Sequence, residues 1–160
     1  MTAAAALRLR EALGNFVTGV TVITTRHDDE LHGLTANSFS SVSLDPPLVL
    51  FSLSRNADCF AAFESSDHFA VNVLRSDQEA LSNRFATKDI DKWSDVAWRP
   101  GEGGCPLLDG SIATFECRIA NRHEGGDHVI HVGKVVRFAH DGDGAAPLAF
   151  FRGRYAGVAT

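Results

Sequence analysis

Two strand-forming stretches, Ile112 to Arg122 and His128 to Ala139, are separated by little more than Glu124-Gly125-Gly126-Asp127, and no feature of the chain constrains its fold more. A glycine pair tolerates the positive φ angles of a tight turn, so the segment predicts a long β-hairpin. The same texture recurs elsewhere. Val20 to Thr25 is rich in β-branched residues, and the polar His27-Asp28-Asp29-Glu30 predicts a turn before a return strand over Leu31 to Ser43. Asp45-Pro46-Pro47 stops that pairing, and the apolar run Leu48 to Leu53 predicts a strand buried on both faces. His68 to Leu74 and Leu148 to Phe151 are further strands, the last reached through a Gly-rich turn at Asp141 to Gly144.

Three helices are expected between the strands. Residues 4 to 14 carry Leu7, Leu9 and Leu13; residues 57 to 65 follow an Asn56 N-cap and place Phe60 and Phe63 on one face; residues 77 to 86 space Leu81 and Phe85 by four. Residues 88 to 110 are too rich in Gly and Pro for a regular element, and predict a loop packed by Trp93 and Trp98. Six or seven strands without βαβ alternation predict one mainly β domain over 1–160, an antiparallel barrel.

Composition narrows the function. A formal net charge of −5 without clustered Lys and Arg argues against nucleic-acid binding. The longest apolar runs are far shorter than the roughly 20 residues of a membrane span, and the start lacks the long apolar middle of a signal peptide, so a cytoplasmic protein is expected. Cys59, Cys105 and Cys117 are odd in number and widely spaced, which predicts reduced thiols, and the apolar neighbours of Cys59 and Cys117 predict that these two are buried. The Gly101 to Gly104 cluster runs into Cys105-Pro106 and is no dinucleotide fingerprint; Gly133-Lys134 lacks the upstream glycine of a phosphate loop. Serine-nucleophile, zinc-protease and calcium-loop signatures are missing too. His128 and His131 lie at an odd offset in one strand, so their rings point to opposite faces and predict no shared metal.

One segment asks for a partner. Gly33-Leu34-Thr35-Ala36-Asn37-Ser38-Phe39-Ser40-Ser41-Val42-Ser43 is dense in hydroxyls and amides where a ladder should form. It reads either as a solvated edge strand or as a surface that hydrogen-bonds a planar, heteroatom-rich ligand. Ser54 lies where strand gives way to helix, a place that attracts phosphate. His128 follows the Gly125-Gly126-Asp127 turn at the mouth of a strand, from which it can project into a groove or hydrogen-bond within the turn.

These residues resemble a known family. The Gly33 to Ser43 stretch, Asp45-Pro46-Pro47-Leu48-Val49, Ser52-Leu53-Ser54, Leu81-Ser82-Asn83-Arg84-Phe85-Ala86, Gly126-Asp127-His128, Val132 to Val135, and Phe151-Arg152-Gly153-Arg154-Tyr155 are similar in order and spacing to the short-chain flavin reductases. The resemblance covers about residues 12 to 156. It implies a split β-barrel homodimer of the FMN-binding type, holding FMN or FAD in an interface groove and reducing it with NADH or NADPH. It implies that reduced flavin diffuses to a partner monooxygenase. It further implies that Thr35, Ala36, Asn37 and Ser38 line the isoalloxazine ring, and that Ser52, Leu53, Ser54, Ser82, Asn83, Arg84 and Phe85 hold the ribityl and phosphate portion. Arg84 and Lys88 would complement the phosphate, Tyr155 belongs to the cofactor set, and His128 positions the nicotinamide. Hydride transfer between two cofactors needs no side-chain nucleophile. Two other readings stay open: a non-enzymatic flavin or electron carrier, and a reductase that retains its flavin and reduces a ferric chelate or corrinoid.

Overall fold

The computed structural model describes residues 1–142 and 144–159. The chain runs α1 (Ala3–Leu13), β1 (Thr18–Gly19), β2 (Thr21–His27), β3 (Glu30–Ala36), β4 (Ser40–Leu44), β5 (Pro47–Ser54), α2 (Phe60–Ser65), β6 (His68–Val73) and α3 (Glu79–Ala86). It continues through β7 (Trp98–Pro100), a 3-10 turn (Glu102–Gly104), β8 (Pro106–Leu108), β9 (Ala113–Gly125), β10 (His128–His140), β11 (Ala149–Phe151) and β12 (Arg154–Ala156). Asp143, in the expected Asp141 to Gly144 turn, lies outside the described residues.

Seven strands form one antiparallel sheet in the order β3-β2-β6-β9-β10-β5-β4. The long hairpin β9–β10 lies within it, closed by the two residues Gly126-Asp127, with Gly126 at φ 72°. Only that one of the two glycines needs the left-handed region. The β2–β3 turn puts Asp28 and Asp29 at φ 50° and 63°, a twist that matches the strands it joins.

The sheet curls around an apolar interior. Ile23, Phe51, Leu53, Phe63, Phe69 and Val71 fill it, with Phe51 edge-on to both Phe63 and Phe69 at 5.8 and 4.9 Å between ring centroids. Such pairs add about 0.5–1.5 kcal/mol each beyond area burial. A second cluster, Val20, Val22, Leu74, Phe85, Leu108 and Leu148, packs α3 and the Trp93–Trp98 pair against the outside of the sheet. The three cysteines are buried free thiols, and burial raises the Cys105 thiol to about 11 and the Cys117 thiol to about 12.

Four expectations are corrected. The return strand over Leu31 to Ser43 is broken at Asn37–Phe39, because β2 starts at Thr21 and offers no partner beyond the Thr21↔Ala36 pair. β5 is not buried on both faces: Val49, Phe51 and Leu53 are buried, while Leu48, Leu50, Ser52 and Ser54 are half-buried. The helix after β5 starts at Phe60 rather than 57 and is not capped by Asn56, whose N–H instead donates to Ser54 Oγ at 3.2 Å. Finally, residues 88 to 110 contain the β7–β8 ribbon, pinned because Thr24 Oγ1 donates to the Pro106 carbonyl (2.6 Å) and the Leu108 N–H donates to Asn72 Oδ1 (2.8 Å).

Candidate functional site

The edge strands β3 and β4 are consecutive in the chain, and the peptide joining them crosses from one sheet edge to the other. Asn37, Ser38 and Phe39 enter neither ladder, since pairing of β3 ends at Ala36 and pairing of β4 begins at Ser40. Ser38 stitches the crossing instead: its Oγ accepts from the Ser52 N–H (2.9 Å) and donates to the Ser52 carbonyl (3.1 Å). Backbone donors and acceptors at 37 and 39 are thereby left to a partner outside the sheet.

α3 is drawn against this edge by a missing side chain. A Cβ on Gly33 would lie 2.8 Å from Phe85 Cε1, so glycine alone lets the Phe85 ring lie flush on β3. That approach puts the Ser82 carbonyl within 2.5 Å of Thr35 Oγ1, which donates to it. The relay continues: the Ser82 hydroxyl lies 2.7 Å from the Tyr155 oxygen, and the Tyr155 O–H donates to Asn83 Oδ1 at 3.0 Å.

A cleft of about 220 Å³ opens between these elements, lined by Thr35, Ser54, Asn56, Phe85, Lys88 and Lys92 among others. Lys88 Nζ donates to the Asn56 carbonyl (2.8 Å) and lies 4.0 Å from Asp58 Oδ1, which holds its cation over the turn that follows β5. The α2 helix is only six residues long and begins six residues after Ser54, so the positive end of a helix is not what Ser54 presents to an anion. The Lys88 and Lys92 ammonium groups are the cations available in its place.

The residues singled out from sequence are placed as follows. Thr35, Ser54 and Phe85 line the cleft; Ala36 ends β3, and Asn37 and Ser38 carry the chain across to β5, where Ser38 is bonded to Ser52. Ser82, Asn83 and Tyr155 join it through the relay just described. Leu53 points the other way, fully buried in the interior, so only its backbone can face a ligand. Arg84 is not brought to the cleft: its guanidinium donates to the Ser94 carbonyl and lines a separate hollow with Asp77 and Asp95. The sequence marks Asn56 only as a helix cap and does not mark Lys92, although Lys92 continues the four-residue spacing of Arg84 and Lys88.

His128 pairs across the ladder with Ser54, so both side chains project from the same face of the sheet. Its Nδ1 is 2.7 Å from Asp127 Oδ1. The hydrogen bond from His128 and its charge hold the Asp127 carboxyl below the usual carboxylate range, which keeps it an acceptor. With Nδ1–H donated there, Nε2 is the ring atom turned outward. His131 lies on the opposite face, fully buried and stacked on Phe51.

Comparison with known proteins identifies the family of the chain. The chain matches the flavin reductase like domain over residues 13–159. It is 43% identical over 150 residues to the flavin-dependent monooxygenase reductase subunit HsaB of Mycobacterium tuberculosis, covering 93% of this chain and 80% of that protein. It is 48% identical over 147 residues to the FMN reductase (NADH) SmoA of Agrobacterium fabrum, covering 91% and 82%. In structure it matches the NADH:FAD oxidoreductase SgcE6 of Streptomyces globisporus, solved in complex with NAD and FAD fragments, with TM-score 0.93 and 38% identity over 99% of this chain and 96% of that one.

Proposed function

The chain belongs to the flavin reductase like domain family, and on that premise we propose that the cleft at the β3–β4 crossing is where its flavin is bound and reduced. The protein is an NADH-dependent flavin oxidoreductase, the reductase component that supplies reduced flavin to a separate monooxygenase. One observation carries the assignment of the site: three segments far apart in sequence, Thr35–Ser38, Ser52–Ser54 and Ser82–Phe85, meet at one crossing, with His128 opposite Ser54.

The donor set fits a flavin. The unpaired backbone of Asn37 to Phe39 offers N–H and C=O groups to the heteroatom edge of the isoalloxazine ring, and the Ser54 hydroxyl suits the ribityl chain. Lys88 is the phosphate cation; Arg84, tied to Ser94, keeps the 88–96 loop in place. When both cofactors are bound, the nicotinamide passes a hydride to the flavin, and the rings themselves carry that chemistry. The chain's part is to orient them. His128, steadied by Asp127, presents Nε2 to the dinucleotide, and the Thr35–Ser82–Tyr155 relay keeps the cleft wall from shifting.

A cleft of about 220 Å³ is smaller than the ~300–1,000 Å³ typical of pockets that enclose a drug-sized ligand. Part of the flavin therefore lies outside it, which suits a molecule that must leave. A homodimer completes the wall. No residue of α1 is buried, and Leu7, Leu13, Phe16 and Val17 are all exposed, Phe16 at 79%. Apolar side chains in that state, on α1 and just after it, are stabilised by burial against a second copy of the same chain. A cytoplasmic location accords with the NADH supply and the free thiols.

The test is direct. Purified protein mixed with FMN, FAD or riboflavin should bind each phosphate-bearing flavin and oxidise NADH only when flavin is present; a folded protein that binds no flavin at saturation refutes the proposal.

A further inference from the structure

The tip of the β9–β10 hairpin is held from outside the hairpin. Its turn consists of Gly126 and Asp127, and the carbonyls of both are taken by Arg55, the residue just past β5. The Arg55 backbone N–H donates to the Asp127 carbonyl (3.0 Å), and the Arg55 Nε–H donates to the Gly126 carbonyl (3.2 Å). The guanidinium reaches on to Glu124 Oε2 through Nη2 and lies 6.0 Å from the centre of the Phe60 ring. Nε and Nη2 share one edge of a rigid planar fork, so a single side chain serves two acceptors.

Those two carbonyls belong to the peptide units on either side of Asp127. With both planes fixed, the direction in which the Asp127 side chain leaves the backbone is fixed as well. Its Oδ1 is the atom 2.7 Å from His128 Nδ1, so the orientation of the imidazole is set at one remove by Arg55. An exposed turn held only by its own strands frays, whereas a binding group works only when it is kept close to its productive geometry.

Arg55 does not serve the flavin directly. Its neighbours Ser54 and Asn56 line the flavin cleft and it does not, because its side-chain donors are committed to Gly126 and Glu124. Nor does the fold depend on it: the Arg55 side chain is 39% exposed and that of Glu124 84%, and ion pairs so exposed add little to stability.

We propose that Arg55 is a positioning residue for the nicotinamide dinucleotide, clamping the β9–β10 tip so that Asp127 holds His128 at the cleft rim opposite Ser54. The inference rests on the reading of His128 given above and names the residue that enforces it.

Steady-state kinetics with NADH varied at saturating FMN compare the wild type, Arg55→Gln, His128→Ala and the double variant, with the FMN dissociation constant measured for each. Arg55→Gln should raise KM for NADH by about fivefold, with kcat and the FMN constant each within about twofold of wild type. A residue that acts through His128 has nothing to act on once the imidazole is gone, so in the His128→Ala background the same substitution should change kcat/KM by less than about twofold. An unmoved KM, or a further loss of about fivefold on top of His128→Ala, overturns the proposal. FMN binding weakened by about tenfold overturns it too, by making Arg55 a flavin contact. Arg55→Lys keeps the charge and the stem but not the fork, and carries the same expectations should the glutamine variant not fold. Wild-type kinetics in His128→Ala would refute the His128 reading and this one together.

Discussion

His128 on β10 stands directly across the ladder from Ser54 on β5. Opposed residues of an antiparallel pair share a face with Cβ atoms about 4.5–5.5 Å apart, so the imidazole lies at the rim of the cleft that Ser54 lines. His128→Ala should lower kcat/KM for NADH by about 10–100-fold while flavin binding is largely kept. Steady-state kinetics with NADH varied at saturating flavin measures it, and an unchanged kcat/KM removes His128 from the dinucleotide site.

Lys88 separates phosphate recognition from ring recognition. Lys88→Gln should raise the dissociation constant for FMN by about tenfold, or ~1.4 kcal/mol, and leave riboflavin, which has no phosphate, close to its wild-type value. Equal losses for the two would mean that Lys88 serves only to hold the Asn56 carbonyl.

The interior tests packing. A Cβ on Gly133 would lie 2.4 Å from Phe69 Cζ and 2.8 Å from Cys117 Cβ, both buried. Gly133→Ala should therefore destabilise the protein by about 1–3 kcal/mol and lower Tm by roughly 2–12 °C in thermal unfolding. A Tm within a degree or so of wild type would mean that β9 and β10 move apart freely.

Acid should weaken the fold through His131. Burial holds this imidazole below the ordinary histidine value of 6.5, with Glu64 opposing and Arg122 reinforcing the shift. The folded state stays neutral while the unfolded chain binds a proton, so stability is complete above that value and falls as the pH drops through it. His32 shifts the same way, also chiefly by burial. His131→Gln should flatten the decline of Tm between about pH 7 and pH 5; a decline as steep as wild type would assign the acid sensitivity to other groups.

The α1 surface predicts its own partner. Leu13→Glu places a charge on a face whose neighbours Leu9 and Phe16 are already exposed. Sedimentation should show a dimer become a monomer, and an unchanged dimer mass would put the interface on another face.

What could be read in the sequence was local. The β9–β10 hairpin carries its turn chemistry and both strands within thirty residues, and Gly126 takes the positive φ that the turn requires. The polar stretch from Thr35 identified itself by composition. Its break at Asn37 did not, because that depends on where β2 begins, sixteen residues upstream at Thr21. The β7–β8 ribbon was hidden for the same reason: its fastenings are the side chains of Thr24 and Asn72, which sequence proximity does not bring near it. Leu53 and Arg84 enter the ligand set through the family resemblance of the stretches that contain them. Strand alternation turns the first inward, and the Ser94 carbonyl draws the second away.

The Thr35–Ser82–Tyr155 relay joins the first hairpin of the chain to its last. The hydroxyl that braces Ser82 is supplied from 73 residues further along the chain. A chain that stops short of Tyr155 therefore keeps Thr35 and Ser82 but loses the hydroxyl that ties α3 to the final strand pair.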